Sequence, residues 1–422
     1  MPLHLSPHDR RLLCGDVGDG ARLAMRLVVK AAEVAGAPRL IDIGSAHVGS
    51  CYSSGATGLD FARRLAGSGT RVAVPTTLNV AAADLLHCTP HGRRNPGFAQ
   101  VRELVDLYLG MGCEETLTCA PYHLPGRPGL GDQVAWYESN AVVFANSVLG
   151  ARTELYGEFI DACAAVTGRV PDAGLHRTEN RRAEVLFDVR DLPPDLLAEA
   201  VLWHLLGHVV GRRAGPRVPV IDGVSAAAGE DRLRALGAAA SASGSVTLFH
   251  VVGATPEAPS LDVACGGREP VETVVIGLRE LAQARDALST LREGVLDAVC
   301  IGTPHFSLRE FERLTKMLAG EKVHPNVRFH VSTSRFVLAE IEARGWRDAL
   351  ECAGVELLVD TCTYFPLAPP GSSGAVMTNS AKWAYYAPGG LGSRIAFGSL
   401  AECVRSAVAG RVVRDEHPWS DR

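Results

Sequence analysis

Two periods of hydrophobic spacing alternate along the chain. From residue 8 to residue 36 apolar positions recur at helical spacing, most densely in "ARLAMRLVVKAAEVAG", and Gly36 supplies a stop signal. That span predicts one long helix. "RLIDIG" predicts a strand, "GLDFARRLAGSG" a short helix and "RVAVPTTL" a second strand, with helical patterns following at 98–109 and around 133–148. The middle repeats the alternation: "AEVLFDV" as strand, 193–211 as a helix starting after Pro193-Pro194, "VPVIDGV" as strand, 229–241 as helix and "SVTLFHVVG" as strand. Beyond it come "ETVVIG", a helix near 278–292, "DAVCIGTPH", a helix at 307–319, "VRFHVST", a helix at 335–346 and "VELLVDTC".

Short β-rich runs alternating with amphipathic helices predict an α/β fold with several parallel or mixed sheets flanked by helices. Ligands of such folds gather at the carboxyl ends of strands. The chemically informative residues fall at such places: Ser45 and His47, Thr76 to Asn79, Thr303 to His305, Ser332 to Ser334, and Cys362. The best linker is the Gly- and Arg-rich "VGRRAGPRVP" at 210–219, which divides the chain into regions 1–215 and 216–422, with sheets that the two regions could share. "LAPPGSSG" at 367–374 marks a second break, and the tail "RDEHPWSDR" is expected to fray.

Composition narrows the classes. The chain has 422 residues, enough for two or three domains, with 47% hydrophobic and 21% charged residues, the balance of a globular protein with a large core. A net charge of −5 gives no basic stripe for nucleic acid or an anionic membrane. No apolar run approaches the roughly 18 residues that a membrane span needs, and the N-terminus carries no secretory pattern. A cytoplasmic protein is expected.

Eleven cysteines are scattered, an odd number with no C-x-x-C pair, so neither a zinc ribbon nor a thioredoxin-type motif is present. Cys14, Cys163, Cys352 and Cys403 fall within helical patterns and read as packing residues. Cys119, in "TLTCAPYHLPG", precedes Ala-Pro and lies at the start of a loop near Glu114 and Glu115. Cys362, in "VDTCTYFP", follows an apolar strand-like run. Two cysteines at strand-to-loop edges point to a site assembled in three dimensions.

Other motifs carry weaker signals. "HLLGH" puts His204 and His208 four apart, but Leu205 stands where a zinc-hydrolase helix needs Glu, so both read as packing histidines. "DIGSAHVGSCYSSG" is a Gly/Ser loop, with Ser53 and Ser54 among its hydroxyls, able to offer N–H groups and hydroxyls to a carboxylate; a plain turn would look the same. "AWYESNAVVFANSVLGARTE" places Glu138, Asn140 and Asn146 on an otherwise apolar helix, where they face a wet site or pair in a buried network. "MTNSAKWAYYAPGGLG" sets Ser380 and Lys382 in a polar turn before aromatic residues, and Lys382 could bind a carboxylate.

Taken together, "SAHVGSCYSSGATGLDFA", "VPTTLNV", "TCAPY", "AWYESNAVVFANSVLGARTE", "HVVGATPEAP", "IGTPHFSL", "VDTC" and "TNSAKWAYYAPGG" resemble the large subunit of the aconitase X family. They occur in family order over nearly the whole chain. The resemblance implies an aconitase-like fold with the active site at strand carboxyl ends between domains. It implies dehydration of a small hydroxy acid without redox change, assisted by an iron–sulfur centre of the 2Fe–2S or 4Fe–4S type acting as Lewis acid. Cys119 and Cys362 fall on the family's cluster-ligand positions. The archaeal branch has Gly-Cys-Pro-His where this chain has Gly302-Thr303-Pro304-His305, which leaves Cys300 as third ligand, or Cys113 as its alternate. The same departure leans toward cis-3-hydroxy-L-proline and away from mevalonate 5-phosphate as substrate.

The resemblance also implies a separate small subunit with a swivelling domain that supplies the base. Within this chain, Lys382, the Ser45–His47 stretch and Thr76, Thr77 and Asn79 would anchor the substrate carboxylate. His305 would serve the leaving hydroxyl, Glu138, Asn140 and Asn146 would form polar walls, and Ser332 and Ser380 would line the substrate. The other classes are a non-catalytic aconitase-like binding or scaffold protein and a cluster-free hydro-lyase.

Overall fold

The computed structural model describes residues 3–51, 55–67, 69–87, 97–224, 228–364, 374–416 and 419. Cys88, Ser53, Ser54 and most of the "LAPPGSSG" break lie outside them. Contacts divide the chain into two compact units, Met1–Arg181 and Arg182–Arg422. The linker expected at 210–219 therefore lies inside the second unit, where it closes a helix and opens a strand.

In the first unit the long helix expected over 8–36 is two helices, Pro7–Cys14 and Asp19–Val34. Gly15 and Gly18 interrupt it at φ +90° and +110°, a region that glycine enters without strain. A parallel three-stranded sheet has β2 (Ser45–Val48) between β3 (Thr76–Leu78) and β4 (Val134–Trp136), and β1 (Leu40–Asp42) pairs antiparallel with β5 (Arg169–Pro171). The strand expected over 71–78 shortens to its last residues because Val72 and Ala73 donate instead to the Met111 and Ala165 carbonyls. Met25, Val28, Leu65, Val105 and Val170 fill the core between sheet and helices.

The helix expected over 133–148 divides at Glu138. Val134–Trp136 is buried strand, Glu138 turns through φ +77°, and only then do the Ser139–Phe144 helix and a wider turn at Ala145–Leu149 follow. An apolar run of this length fits either period, and pairing with β2 decides it.

The second unit holds two parallel sheets. One has the order β8 (His250–Val251), β7 (Pro219–Asp222), β6 (Val185–Asp188), β9 (Glu272–Val275); the other has β12 (Val355–Leu358), β11 (Arg328–Ser332), β10 (Ala298–Ile301), β13 (Ala375–Thr378), β14 (Arg394–Phe397). The Ala200–Ala214 and Glu230–Gly244 helices pack backbone to backbone: a Cβ on Gly211 would lie 2.5 Å from the Ala240 carbonyl, and one on Gly207 2.2 Å from that of Leu236. The polar turn expected around Lys382 is the first turn of a helix, Ala381–Leu391, capped by Ser380. The tail does not fray at its start: Glu416 pairs at 2.7 Å with the buried Arg285, whose guanidinium also lies over the Trp419 ring.

Candidate functional site

In the five-stranded sheet the chain runs outward from β10 through β11 to β12, then returns to β13 and β14 on the other side. The reversal opens a crevice at the carboxyl ends of β10 and β13, the position where open α/β sheets bind ligands. Thr303 leaves β10 there and Ser380 leaves β13. Ser380 Oγ donates to the Thr303 carbonyl and accepts from Trp383 N–H at 3.1 Å, joining the two strand ends. Gly302 is required by close approach, since at φ +88° a Cβ would sit 2.2 Å from the Ser332 carbonyl.

The 360–363 loop after β12 is held from three sides. Thr303 Oγ1 lies 3.1 Å from Cys362 Sγ and 3.2 Å from Thr363 Oγ1. His305, fully buried, donates Nε2–H to the Thr361 carbonyl at 2.9 Å. Arg335 grips Asp360 with two bonds of 2.7 Å, and Asp360 is fully buried at φ +63°. His305 thus holds the cysteine loop through Nε2. Ser332 Oγ and Thr361 Oγ1 are buried without a hydrogen-bond partner, at two neighbouring strand ends. Lys382 is half-buried, one residue into the helix that Ser380 caps.

The first unit gathers a second set. His47 sits in a cross-strand row with Thr77 and Trp136, its Nδ1 2.8 Å from Thr77 Oγ1. Burial pushes the imidazole down to about 3, against the opposing influence of Glu138, Asn79 and the Thr118 backbone, so His47 is neutral. Its Nε2 and Asn79 Oδ1 are both buried without a hydrogen bond of good geometry. Asn140 donates to the Cys119 carbonyl and to Glu138 Oε1, each at 3.0 Å, and accepts from Tyr122 at 2.7 Å, so the cysteine loop is fastened to Glu138 through a buried amide.

Three expected residues are placed elsewhere. Asn146 bonds both backbone groups of Thr153 and accepts from Arg181, all buried, and so holds a loop rather than a wall. Thr76 turns its hydroxyl to the Val74 carbonyl at 2.8 Å. Ser45 begins β2 and so lies at the amino end of its strand, away from the end that carries Gly49.

The cysteines divide the same way. Cys119 and Cys362 are buried in loops. Cys300 lies within β10; burial, then the nearby Cys362, pushes its thiol up to about 12. Cys113 lies in the first unit's hydrophobic core, where burial, then Asp161, pushes it up to about 12 as well. Both keep their protons at neutral pH in the metal-free chain. Among the described residues no three His, Cys, Asp or Glu side chains form a metal-binding group, and the ten described cysteines carry no disulfide. Sequence reasoning noted Arg335 only as a basic group near the motifs and missed Asp360 and Thr363. The pair Arg335–Asp360 gave no signal because its partners are 25 residues apart and each reads as an ordinary surface charge.

Parallel sheets with thiols, hydroxyls and buried neutral histidines at their carboxyl ends define an aconitase-like α/β protein. Family models for the aconitase X first, second and third domains match residues 2–179, 183–286 and 296–409. The chain belongs to the aconitase X family. It is 44% identical to the cis-3-hydroxy-L-proline dehydratase of Pseudomonas aeruginosa, over 96% of this chain and 70% of that protein. With the enzyme of that name from Hypocrea jecorina it shares 40%, over 97% of this chain and 69% of the other. With the phosphomevalonate dehydratase large subunit of Methanothermobacter thermautotrophicus it shares 34%, over 92% of this chain and 95% of that one. The crystal structure of Thermococcus kodakaraensis aconitase X in its holo-form matches at a TM-score of 0.85 and 31% identity, over 96% of this chain and all of that one. No described helix is long and apolar enough to cross a membrane.

Proposed function

We propose that the chain is the large subunit of a cytoplasmic hydro-lyase that converts cis-3-hydroxy-L-proline to Δ1-pyrroline-2-carboxylate. The observation that carries the reading is the 44% and 40% identity, across nearly the whole chain, to two cis-3-hydroxy-L-proline dehydratases, against 34% to a phosphomevalonate dehydratase large subunit. The reaction removes the proton α to the carboxylate and breaks the bond from C3 to its hydroxyl. Water leaves, and the enamine tautomerises to the cyclic imine.

The buried thiols of Cys119 and Cys362 suit an iron–sulfur centre, with the Thr303 hydroxyl beside Cys362. Cys300, within β10, and Cys113, in the first unit's core, are left out of the ligand set in this reading. When bound, the centre would supply Lewis-acid polarisation of the substrate oxygen.

The chain's own residues bind and orient. In the second unit Ser332 Oγ and Thr361 Oγ1 are buried polar atoms without a hydrogen bond, and substrate oxygen atoms would satisfy them. Lys382 would neutralise the carboxylate, which needs firm anchoring as charge builds next to it. A small subunit would bring the base. The support for that partner is the chain's coverage of 95% of a relative named as a large subunit.

Co-purification without oxygen with a candidate small subunit tests the reading, by iron and acid-labile sulfide per chain and by turnover. Imine formed from cis-3-hydroxy-L-proline confirms it; turnover of mevalonate 5-phosphate instead reassigns the substrate. No iron and no turnover after reconstitution sinks it.

A further inference from the structure

A cavity of about 260 Å³ opens inside the second unit, between the helix pair Ala200–Ala214 and Glu230–Gly244 on one side and the carboxyl ends of β13 and β14 on the other. Its two walls belong to the segments matched by the second- and third-domain models, and boundaries between domains are where small-molecule sites concentrate. It is separate from the Thr303–Cys362 contact, none of whose residues lines it.

Part of its polar lining is already engaged. Arg232 donates to the Ala198 carbonyl at 2.6 Å, and Glu310 is held by Arg234 and by Ser307 N–H. Four groups are different. The guanidinium of Arg313, the carboxylate of Glu199, the amide of Asn379 and Nε2 of His204 make no hydrogen bond or ion pair among the described residues. His204 is driven neutral by burial, down to about 3, with the nearby Arg234 acting in the same direction. Its Nδ1 faces the Ala381 N–H at 3.5 Å as an acceptor, which leaves the proton on Nε2. Asp231, which also lines the cavity, is paired with Arg234 at 3.6 Å, so beyond these engaged groups the cavity offers one cation and one anion without a bond, and two neutral donors, in a volume too small for a nucleotide.

We propose that this cavity binds a small zwitterionic amino or imino acid, its carboxylate held by Arg313, Asn379 and His204 and its ammonium by Glu199. Ligands of a single charge would leave one of the two opposite charges without a partner, so the site selects against them. The proposal is independent of the reaction assigned above. Its occupant would touch His204, and through it the turn that Ser380 caps beside Thr303.

Calorimetric titration of the full chain with L-proline and glycine, against acetate and methylammonium, tests it. L-proline or glycine should bind and the singly charged compounds should not, with Arg313→Ala and Glu199→Ala each weakening the zwitterion by about tenfold or more. Both side chains are exposed, so the variants should fold. Three results overturn the proposal: no zwitterion binding up to about 10 mM; acetate binding as tightly as glycine; or binding that Cys362→Ser abolishes while both Arg313→Ala and Glu199→Ala leave it within about twofold, which would place the ligand at the cysteine loop instead.

Discussion

Thr303 holds its hydroxyl 3.1 Å from the sulfur of Cys362. The two residues leave different strands of one parallel sheet, and with the His305–Thr361 and Thr303–Thr363 bonds the contact fastens the loop after β12 to the loop after β10. A hydroxyl that donates to sulfur favours the thiolate over the thiol. Thr303→Val keeps the shape and removes the donor. It should slow the reaction of Cys362 with iodoacetamide across the pH profile of the metal-free chain. An unchanged profile would show that the hydroxyl is spent on Thr363.

The ligand assignment separates two pairs of cysteines. Cys119→Ser and Cys362→Ser should each abolish iron and sulfide in the chain purified without oxygen. Cys113→Ala and Cys300→Ala should keep both and lose stability instead, about 1–2 kcal/mol each, as expected for trimming a buried thiol in a packed core. Iron lost in Cys300→Ala but kept in Cys119→Ser would invert the assignment.

Arg335 and Asp360 set the backbone that presents Cys362. A fully buried carboxylate at φ +63° persists only where its surroundings hold it, and two 2.7 Å bonds from Arg335 do so. Arg335→Met should cost about 3–5 kcal/mol in urea unfolding, the penalty of stripping a partner from a buried charge. Arg335→Lys should recover only part, because a lysine cannot reproduce the planar double contact. A loss under about 1 kcal/mol would make the pair ornamental.

Legibility in the sequence followed physical locality. Strand ends announced themselves because hydroxyls, glycine and proline cluster where a buried apolar run meets a loop, so Thr303, Ser332, Ser380 and Cys362 could be read directly. Pairings distant in sequence could not. Nothing in "STSRFV" shows that Arg335 faces Asp360, and nothing near Asn146 shows that Thr153 and Arg181 claim its amide. Periodicity failed where one apolar run served two elements, as at Val134–Trp136 followed by Ser139–Phe144. There, only the neighbouring strand chooses between helix and sheet.

Acid should unfold this chain early, and the sign follows from which buried groups titrate. Burial lowers His47 and His204 to about 3 and His176, His208 and His330 to about 4. The unfolded chain takes up these protons near pH 6.5 and the folded chain does not, so the stability they contribute is complete above pH 6.5 and drains as pH falls. Asp161 works the other way. Burial raises its carboxyl to about 6, although Gly49 N–H donates to it at 2.7 Å, so its ionisation costs stability as pH rises from about 4 to 6. Burial raises Glu310 as well, so two acids oppose five histidines, each proton of difference being about 1.4 kcal/mol per pH unit, and the histidines win. The urea midpoint should fall steeply between pH 7 and pH 5. Asp161→Asn should raise the midpoint at pH 7, where the buried charge is removed, and make the fall toward pH 5 steeper still. A midpoint that stays level over this range would mean that these histidines are not held neutral in the folded chain.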